Sequence, residues 1–195
     1  MSHSIARRQQ TEIAELEALF DNSPLSTSWG WDERKQLPIS HDQKGPMEMS
    51  VKSEKILYTA EAVVEGGREG HGRTSDGRLD VELSVPEPLG GDGGEGTNPE
   101  QLFAVGYAAC FQSALLGVAR GRKLDASDSL IASTVGIGPT GEGGFTLQVS
   151  LDLHAPHLSR EDASELMARA HERCPYSNAT RGNIDVLLTV DGEPL

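Results

Sequence analysis

Apolar and polar residues alternate in the part of the chain that follows residue 50. In the segment 145–153 every second residue is apolar, and the same holds for 79–85. Strict alternation is typical of a strand with one buried face. On this pattern we predict five strands, at 56–64, 79–85, 129–138, 145–153 and 184–190.

A helix is predicted after the second strand, where the apolar spacing changes from two to three and four residues. Asn98 is a good N-cap, Pro99 suits the first helical position, and Glu100 favours the positive end of the helix dipole. The helix is expected to run to about Gly121.

A second helix is predicted to begin at Ser159 and to be stopped by Pro175, which cannot continue a helix. The element order is then β-β-α-β-β-α-β. Strand pairs followed by single helices indicate an α+β fold, with the helices packed against antiparallel sheet.

The chain divides near residue 50. In residues 1–50, Ile13, Leu16 and Phe20 share one face of a possible short helix, and the rest has the composition of a linker. We therefore expect an N-terminal extension without an assigned role at 1–50 and one folded domain at 51–195.

The charge balance excludes some partners. With 17 basic and 30 acidic residues the net charge is −13, which argues against binding to nucleic acid or to an anionic membrane. We also expect no apolar run long enough to span a bilayer and no secretory signal, hence a cytoplasmic protein. In that compartment a cysteine pair is more often redox-active or metal-binding than a structural disulfide.

The chain has two cysteines, and each lies on an apolar stripe of a predicted helix. If the helices pack on each other, Cys110 and Cys174 can approach, although a disulfide needs Cα atoms within about 7 Å, which a pattern alone does not establish. The two stripes are Phe103, Gly106, Tyr107, Cys110, Ala114 and Gly117, and Ala163, Leu166, Met167, Ala170 and Cys174.

Three interpretations of the cysteines stay open at this point. Spacing alone favours inert buried thiols, because free cysteine behaves as a small hydrophobic residue. Metal binding is the weakest, since His171-x-x-Cys174 and His154-x-x-His157 lack a C-x-x-C pair beside them.

A reactive thiol, the third interpretation, needs a nearby positive charge to stabilise its thiolate. The candidates are Arg68 in "EGGREG" and Arg181 in "NATRGN". The two glycines before Arg68 suggest a turn that directs its side chain. A guanidinium held near Cys110 would itself need a carboxylate to orient it. Each arginine taken alone is as well explained by a solvated surface charge.

Four long segments resemble one known family. They are "LYTAEAVVEGGREG", "LGGDGGEGTNPEQLFAVGYAACF", "VGIGPTGEGGF" and "AHERCPYSNATRGNIDVLLTV". In sequence and order they are similar to the organic hydroperoxide resistance (Ohr) proteins of the Ohr/OsmC family. The resemblance runs from about residue 54 to 190, and residues 1–50 have no part in it.

The resemblance implies an α+β, OsmC-like fold, with antiparallel sheets packed around two central helices in an intertwined homodimer. It implies a thiol peroxidase that reduces organic hydroperoxides, including those of fatty acids, to alcohols. No bound cofactor or metal is expected. The expected reductant is a dihydrolipoyl group (dihydrolipoamide) on a lipoylated protein, and neither nucleic acid nor membrane is an expected partner.

The resemblance also assigns roles to four residues. Cys110 matches the peroxidatic cysteine, which becomes a sulfenic acid, and Cys174 the resolving cysteine, which forms a disulfide with it. Arg68 and Glu100 match the pair that orders the active site. The alternatives are an OsmC-type peroxidase with another reductant, a hydrolase variant of the superfamily, or a lipid-peroxide sensor without turnover.

One expectation comes from helix geometry. Glu100 and Cys110 are ten residues apart on one predicted helix, or about 15 Å. A single Arg68 can hardly contact both. We therefore predict that the Arg68–Glu100 pair reaches Cys110 of the partner subunit.

Overall fold

The computed structural model describes residues 55–141 and 143–195, so the helix expected within residues 1–50 lies outside the described part. The described residues form two sheets and three helices. The strands are β1 (Ala62–Glu65), β2 (His71–Thr74), β3 (Asp80–Glu82), β4 (Leu130–Pro139), β5 (Phe145–His154), β6 (Val186–Val190) and β7 (Glu193–Pro194). The helices are α1 (Pro99–Arg122), α2 (Arg160–Arg173) and α3 (Pro175–Thr180), with 3-10 turns at Gly67–Glu69 and Glu87–Leu89.

One sheet holds β1, β2 and β3 in that order, and the other holds β4, β5, β6 and β7. The hairpin of β4 and β5 is the longest ladder, pairing Leu130 with His154 at one end and Pro139 with Phe145 at the other. The predicted α+β class is confirmed. The predicted antiparallel pairing has one exception, because β5 and β6 are parallel. Parallel neighbours need a crossover connection, and α2 and α3 provide it.

Helix α1 begins where its capping residues predict. The side-chain oxygen of Asn98 accepts a hydrogen bond of 2.9 Å from the backbone N–H of Gln101, and Pro99 is the first helical residue. The helix ends at Arg122, one residue beyond the predicted end. Lys123 follows in the left-handed region, with φ 61°.

The core lies between the helices and the four-stranded sheet. The predicted stripe of α2 is confirmed, since all five of its residues are buried. The stripe of α1 is only partly right: Tyr107 is buried and Cys110 is half-buried. Because α1 packs against both β4 and α2, its buried face also takes in residues outside that stripe, namely Phe111, Leu115, Val118 and Ala119.

The strands of the smaller sheet differ most from prediction. The segment predicted at 56–64 pairs only as β1, and 79–85 pairs as β3 with one further parallel bridge from Leu83 to Thr97. Strand β2 was not predicted, because its sequence His-Gly-Arg-Thr has no apolar alternation. It exists because its backbone pairs with β1 on one side and β3 on the other.

The segment after α2 also differs. Pro175 ends α2 as predicted, but it then occupies the first position of the short helix α3. Proline is favoured there, because the first turn of a helix leaves its N–H groups unpaired in any case.

Helix α1 also corrects the expectation about apolar length. Among the described residues it is the one helix long and apolar enough to cross a bilayer by length and composition alone, with a mean hydropathy of 1.7 over its most apolar window. Core helices of globular proteins pass the same test, and α1 packs against β4, α2 and α3.

Candidate active site

Two glycines set the direction of Arg68. Gly66 and Gly67 have φ of 70° and 60°, in the left-handed region that favours glycine. A Cβ on Gly66 would lie 2.9 Å from the Cα of Gly70, so the chain can turn sharply only with glycine there. The turn lifts Arg68 from the end of β1 toward the start of α1.

Arg68 meets Glu100 in a bidentate ion pair. Its Nη1 donates to Oε2 at 2.9 Å and its Nη2 to Oε1 at 2.7 Å. The Glu100 side chain is 12% exposed and that of Arg68 is 39% exposed. The hydrogen bond from Arg68 lowers the pKa of Glu100 despite partial burial, and the same bond raises the pKa of Arg68. Both groups are therefore charged at neutral pH, and the predicted pairing is present within one chain.

The two cysteines come together at the junction of the three helices. The sulfur atoms of Cys110 and Cys174 are 3.5 Å apart, and both are free thiols. Cys110 is half-buried on α1. Cys174 is fully buried, and its backbone both ends α2 and precedes α3. The two thiols are thus neighbours in the fold, at a separation from which a disulfide could form with a small movement.

Burial raises the pKa of the Cys110 thiol above its usual range. The backbone N–H of Tyr176 opposes this by hydrogen bonding to the sulfur, and Cys174 raises the pKa further. In the described chain Arg68 is not among the groups that act on this pKa. A single subunit therefore holds Cys110 mainly as the protonated thiol at neutral pH.

Three aromatic rings pack together on the segments that carry the thiols, and the apolar stripe of α1 had grouped Phe103 and Tyr107 but not Tyr176. Phe103 and Tyr176 stack with centroids 5.9 Å apart, and Tyr107 meets both rings at 5.7 and 5.6 Å. A Cβ on Gly106 would lie 3.3 Å from the hydroxyl oxygen of Tyr176, so the glycine gives the ring room. Tyr176 remains 39% exposed, which makes it the outer wall of the site.

A set of buried hydroxyls holds α3 on α1. The hydroxyl of Tyr107 donates to Oγ of Ser177 at 3.0 Å and lies 3.2 Å from Oγ1 of Thr180. Thr180 in turn donates to the backbone oxygen of Tyr176 at 2.9 Å. Sequence reasoning missed Ser177 and Thr180. The one available signal was Pro175, which is compatible with a new helix as well as with a stop.

Arg181, the second candidate for a positive charge beside a reactive thiol, binds the end of α2 instead. Its Nη2 donates to the backbone oxygen of His171 at 2.7 Å, so it closes the last turn of α2. It has no described contact with either sulfur.

Two histidines of the weaker metal hypothesis pair with different carboxylates. His154 pairs with Asp191 at 2.7 Å and His157 with Asp128 at 3.2 Å. No group of three or more potential metal-ligating side chains occurs in the part of the chain that the structure describes.

Known proteins resemble the part of the chain that contains both cysteines and Glu100. The family description "OsmC-like protein" matches residues 91–189. The organic hydroperoxide resistance protein of Xanthomonas axonopodis pv. citri is 54% identical over 138 residues, which are 70% of this chain and 96% of that protein. The chain belongs to the Ohr/OsmC family.

Solved structures of Ohr proteins have the same fold. The crystal structure from Legionella pneumophila matches with a TM-score of 0.67 and 51% identity, over 70% of this chain and 98% of that chain. OhrB of Bacillus subtilis matches with a TM-score of 0.65 and 46% identity, over 70% and 100%. The resemblance read from the sequence and the OsmC-like fold are both confirmed.

Proposed function

We propose that this chain is a thiol peroxidase that reduces organic hydroperoxides, including those of fatty acids, to alcohols. Membership of the Ohr proteins supports an organic hydroperoxide as substrate. The observation that carries the proposal is the 3.5 Å separation of the Cys110 and Cys174 sulfurs. A second thiol this close can condense with the sulfenic acid that peroxide forms, which is the first step of recycling it.

The first step is nucleophilic. The thiolate of Cys110 attacks the distal, hydroxyl-bearing peroxide oxygen, the O–O bond breaks, and the alkoxide leaves as the alcohol after taking up the proton that the Cys110 thiol released. Cys110 is thereby oxidised to a sulfenic acid and the peroxide is reduced. We assign the peroxidatic role to Cys110 because it is the more accessible of the two thiols, Cys174 being fully buried.

The second step forms the disulfide. The thiol of Cys174 condenses with the sulfenic acid, releasing water. A dithiol then exchanges with this disulfide, which returns both cysteines to thiols and leaves the dithiol oxidised. We propose a dihydrolipoyl group on a lipoylated protein as that dithiol, as the family resemblance implies, so that no cofactor is held by the chain itself.

A second copy of the chain is part of the proposal. Burial raises the pKa of Cys110 within one subunit, whereas the reaction needs the thiolate. An Arg68–Glu100 pair from a partner subunit would supply the missing positive charge. Only 28% of the most apolar window of α1 is buried within one chain, which leaves apolar helix surface for such a homodimer to cover.

The aromatic rings account for a preference for organic peroxides. Phe103 and Tyr176, which stack on each other and are only partly buried, offer an apolar wall against which a hydrocarbon chain can be buried. Hydrogen peroxide gains nothing from that wall. We therefore expect a lower KM for fatty-acid hydroperoxides than for hydrogen peroxide.

Steady-state turnover tests the proposal. A fatty-acid hydroperoxide is supplied with dihydrolipoamide as the sole reductant, and Cys110→Ser is assayed in parallel. Catalytic turnover that disappears in the variant is the expected result. Turnover with another dithiol alone would favour an OsmC-type peroxidase with a different reductant, and consumption of one equivalent without recycling would favour a sensor. The cytoplasm, where lipoylated enzymes and reduced thiols coexist, is the proposed location.

A further inference from the structure

The hydroxyl contact between α1 and α3 runs beside the thiol pair. Tyr107 lies three residues before Cys110 on α1, and Ser177 lies three residues after Cys174. The two contacts, Tyr107 with Ser177 and Cys110 with Cys174, thus join the same two segments about one helical turn apart. Whatever fixes the first contact also limits the separation of the two sulfurs.

We propose that Tyr107 is a positioning residue which, through Ser177, holds Cys174 within reach of the oxidised Cys110 and so sets the rate of disulfide formation. The inference rests on the proposed function and adds a residue to it. Tyr107 does not contact the peroxide oxygens in this scheme. It acts on the second step and leaves the first unchanged.

The contact is well suited to that purpose because both partners are fully buried. Tyr107 and Ser177 are each 0% exposed, so water cannot replace either hydroxyl. Thr180 has a further partner in the backbone oxygen of Tyr176, at 2.9 Å. The described hydrogen bond of the Ser177 hydroxyl is the one from Tyr107, so removal of the phenol oxygen leaves Ser177 without it.

Helix α3 needs such an attachment. It has six residues, too few to be stable as an isolated helix, so its position depends on its contacts with α1 and α2. The sulfurs must move from 3.5 Å to about 2 Å for the bond to form. If α3 were loosely held, the sulfenic acid would spend longer exposed to a second peroxide molecule.

The test separates the two steps in the full chain. Tyr107→Phe keeps the ring and removes the hydroxyl, Ser177→Ala removes its partner, and the double variant removes both. Cys110 oxidation is measured by rapid mixing with peroxide in a Cys174→Ser background. Disulfide formation is measured by acid quench and mass after one equivalent of peroxide. We expect disulfide formation to slow about tenfold in either single variant and no further in the double variant, as for two residues that act as one contact.

The rate of Cys110 oxidation is expected to stay within about twofold in the same variants, since the phenol oxygen does not face the peroxide. Thr189→Val is the matched control. It removes another buried hydroxyl, which hydrogen-bonds Asp152 on β5, away from α3. A similar slowing in Thr189→Val, or a parallel fall in both steps with Tyr107→Phe, would show a general loss of structure and overturn the inference.

A second readout needs no peroxide. Equilibration with a dithiothreitol redox buffer gives the effective concentration of one thiol at the other, and we expect it to fall about tenfold in Tyr107→Phe. An unchanged value would overturn the positioning role even if the peroxidase is active. If the wild-type chain consumes no peroxide, the proposed function is refuted. If the effective concentration of the thiols still falls in Tyr107→Phe, the positioning role of Tyr107 stands independently of that function.

Discussion

Arg68, in the turn between β1 and β2, forms an ion pair with Glu100, with Nη2 2.7 Å from Oε1. The pair joins a turn of the three-stranded sheet to the first turn of α1, the helix that carries Cys110. A charged group thus fixes how the smaller sheet meets the helix at its N-terminus, where the carboxylate also interacts favourably with the helix dipole.

Glu100→Gln is expected to lower the free energy of unfolding by about 1 kcal/mol at pH 7, a value reduced for the solvent screening of the half-exposed Arg68. The folded-state pKa of Glu100 is lowered from 4.5, so its contribution is present above that pH and is lost as the pH falls through the folded pKa. Urea unfolding of both proteins at pH 7 and at about pH 3 measures this. An equal difference at both pH values would contradict an ionic origin.

Arg68→Ala is expected to cut peroxidase turnover by about two orders of magnitude or more, because in the proposed dimer Cys110 loses the partner's positive charge that would stabilise its thiolate. The thiol pKa, measured by the pH dependence of alkylation, should rise while the far-UV circular dichroism is unchanged. Arg68→Lys is the control that keeps the charge but loses the bidentate geometry. Normal turnover of Arg68→Ala would remove Arg68 from the mechanism.

The subunit origin of Arg68 is tested by mixing two inactive variants. Co-expressed Arg68→Ala and Cys110→Ser subunits are expected to recover roughly a quarter of wild-type turnover, since half the dimers are mixed and each has one complete site. No recovery, with mixed dimers demonstrated by mass, would place Arg68 and Cys110 of one site in the same subunit.

Cys174→Ser is expected to abolish multiple turnover with dihydrolipoamide while leaving oxidation of Cys110 intact. Excess peroxide should then drive Cys110 on to sulfinic acid, a gain of two oxygen atoms in the intact mass. The wild-type chain under the same conditions should stop at the disulfide. A Cys174→Ser protein that turns over normally would show that another thiol resolves the sulfenic acid.

Asn98→Ala is expected to lower the free energy of unfolding by about 1 kcal/mol, because the N–H of Gln101 loses its buried side-chain acceptor. Asn98→Asp should retain most of the stability, since a carboxylate caps equally well. Thermal and urea unfolding measure both. Equal stability of the alanine variant would mean that water replaces the cap.

Features with a local physical cause were predictable from the sequence. Asn98 and Pro99 fix the start of α1 through their own chemistry, and the alternation from Phe145 onward fixes β5. The turn at Gly66 and Gly67 follows equally from the absence of a Cβ. The resemblance to Ohr proteins then favoured Arg68 over Arg181 and added Glu100 as its partner.

Features created by distant contacts were not predictable in that way. Strand β2 has no apolar pattern of its own and exists through its neighbours. Segment 56–61 has strand-like composition but pairs with no strand among residues 55–141 and 143–195, and Ile56, Leu57 and Tyr58 are exposed there. The Tyr107–Ser177 contact joins residues 70 positions apart, a separation that no local pattern encodes.

The closeness of Cys110 and Cys174 has a thermodynamic consequence for the whole domain. A bond between them would close a covalent ring over the 64 positions that contain β4, β5 and α2. By the chain-entropy relation such a ring destabilises the unfolded chain by about 4 kcal/mol. Under the proposed cycle the protein would alternate between a more stable disulfide form and a less stable dithiol form. Its resistance to proteases would then report the recent exposure of the cell to peroxide.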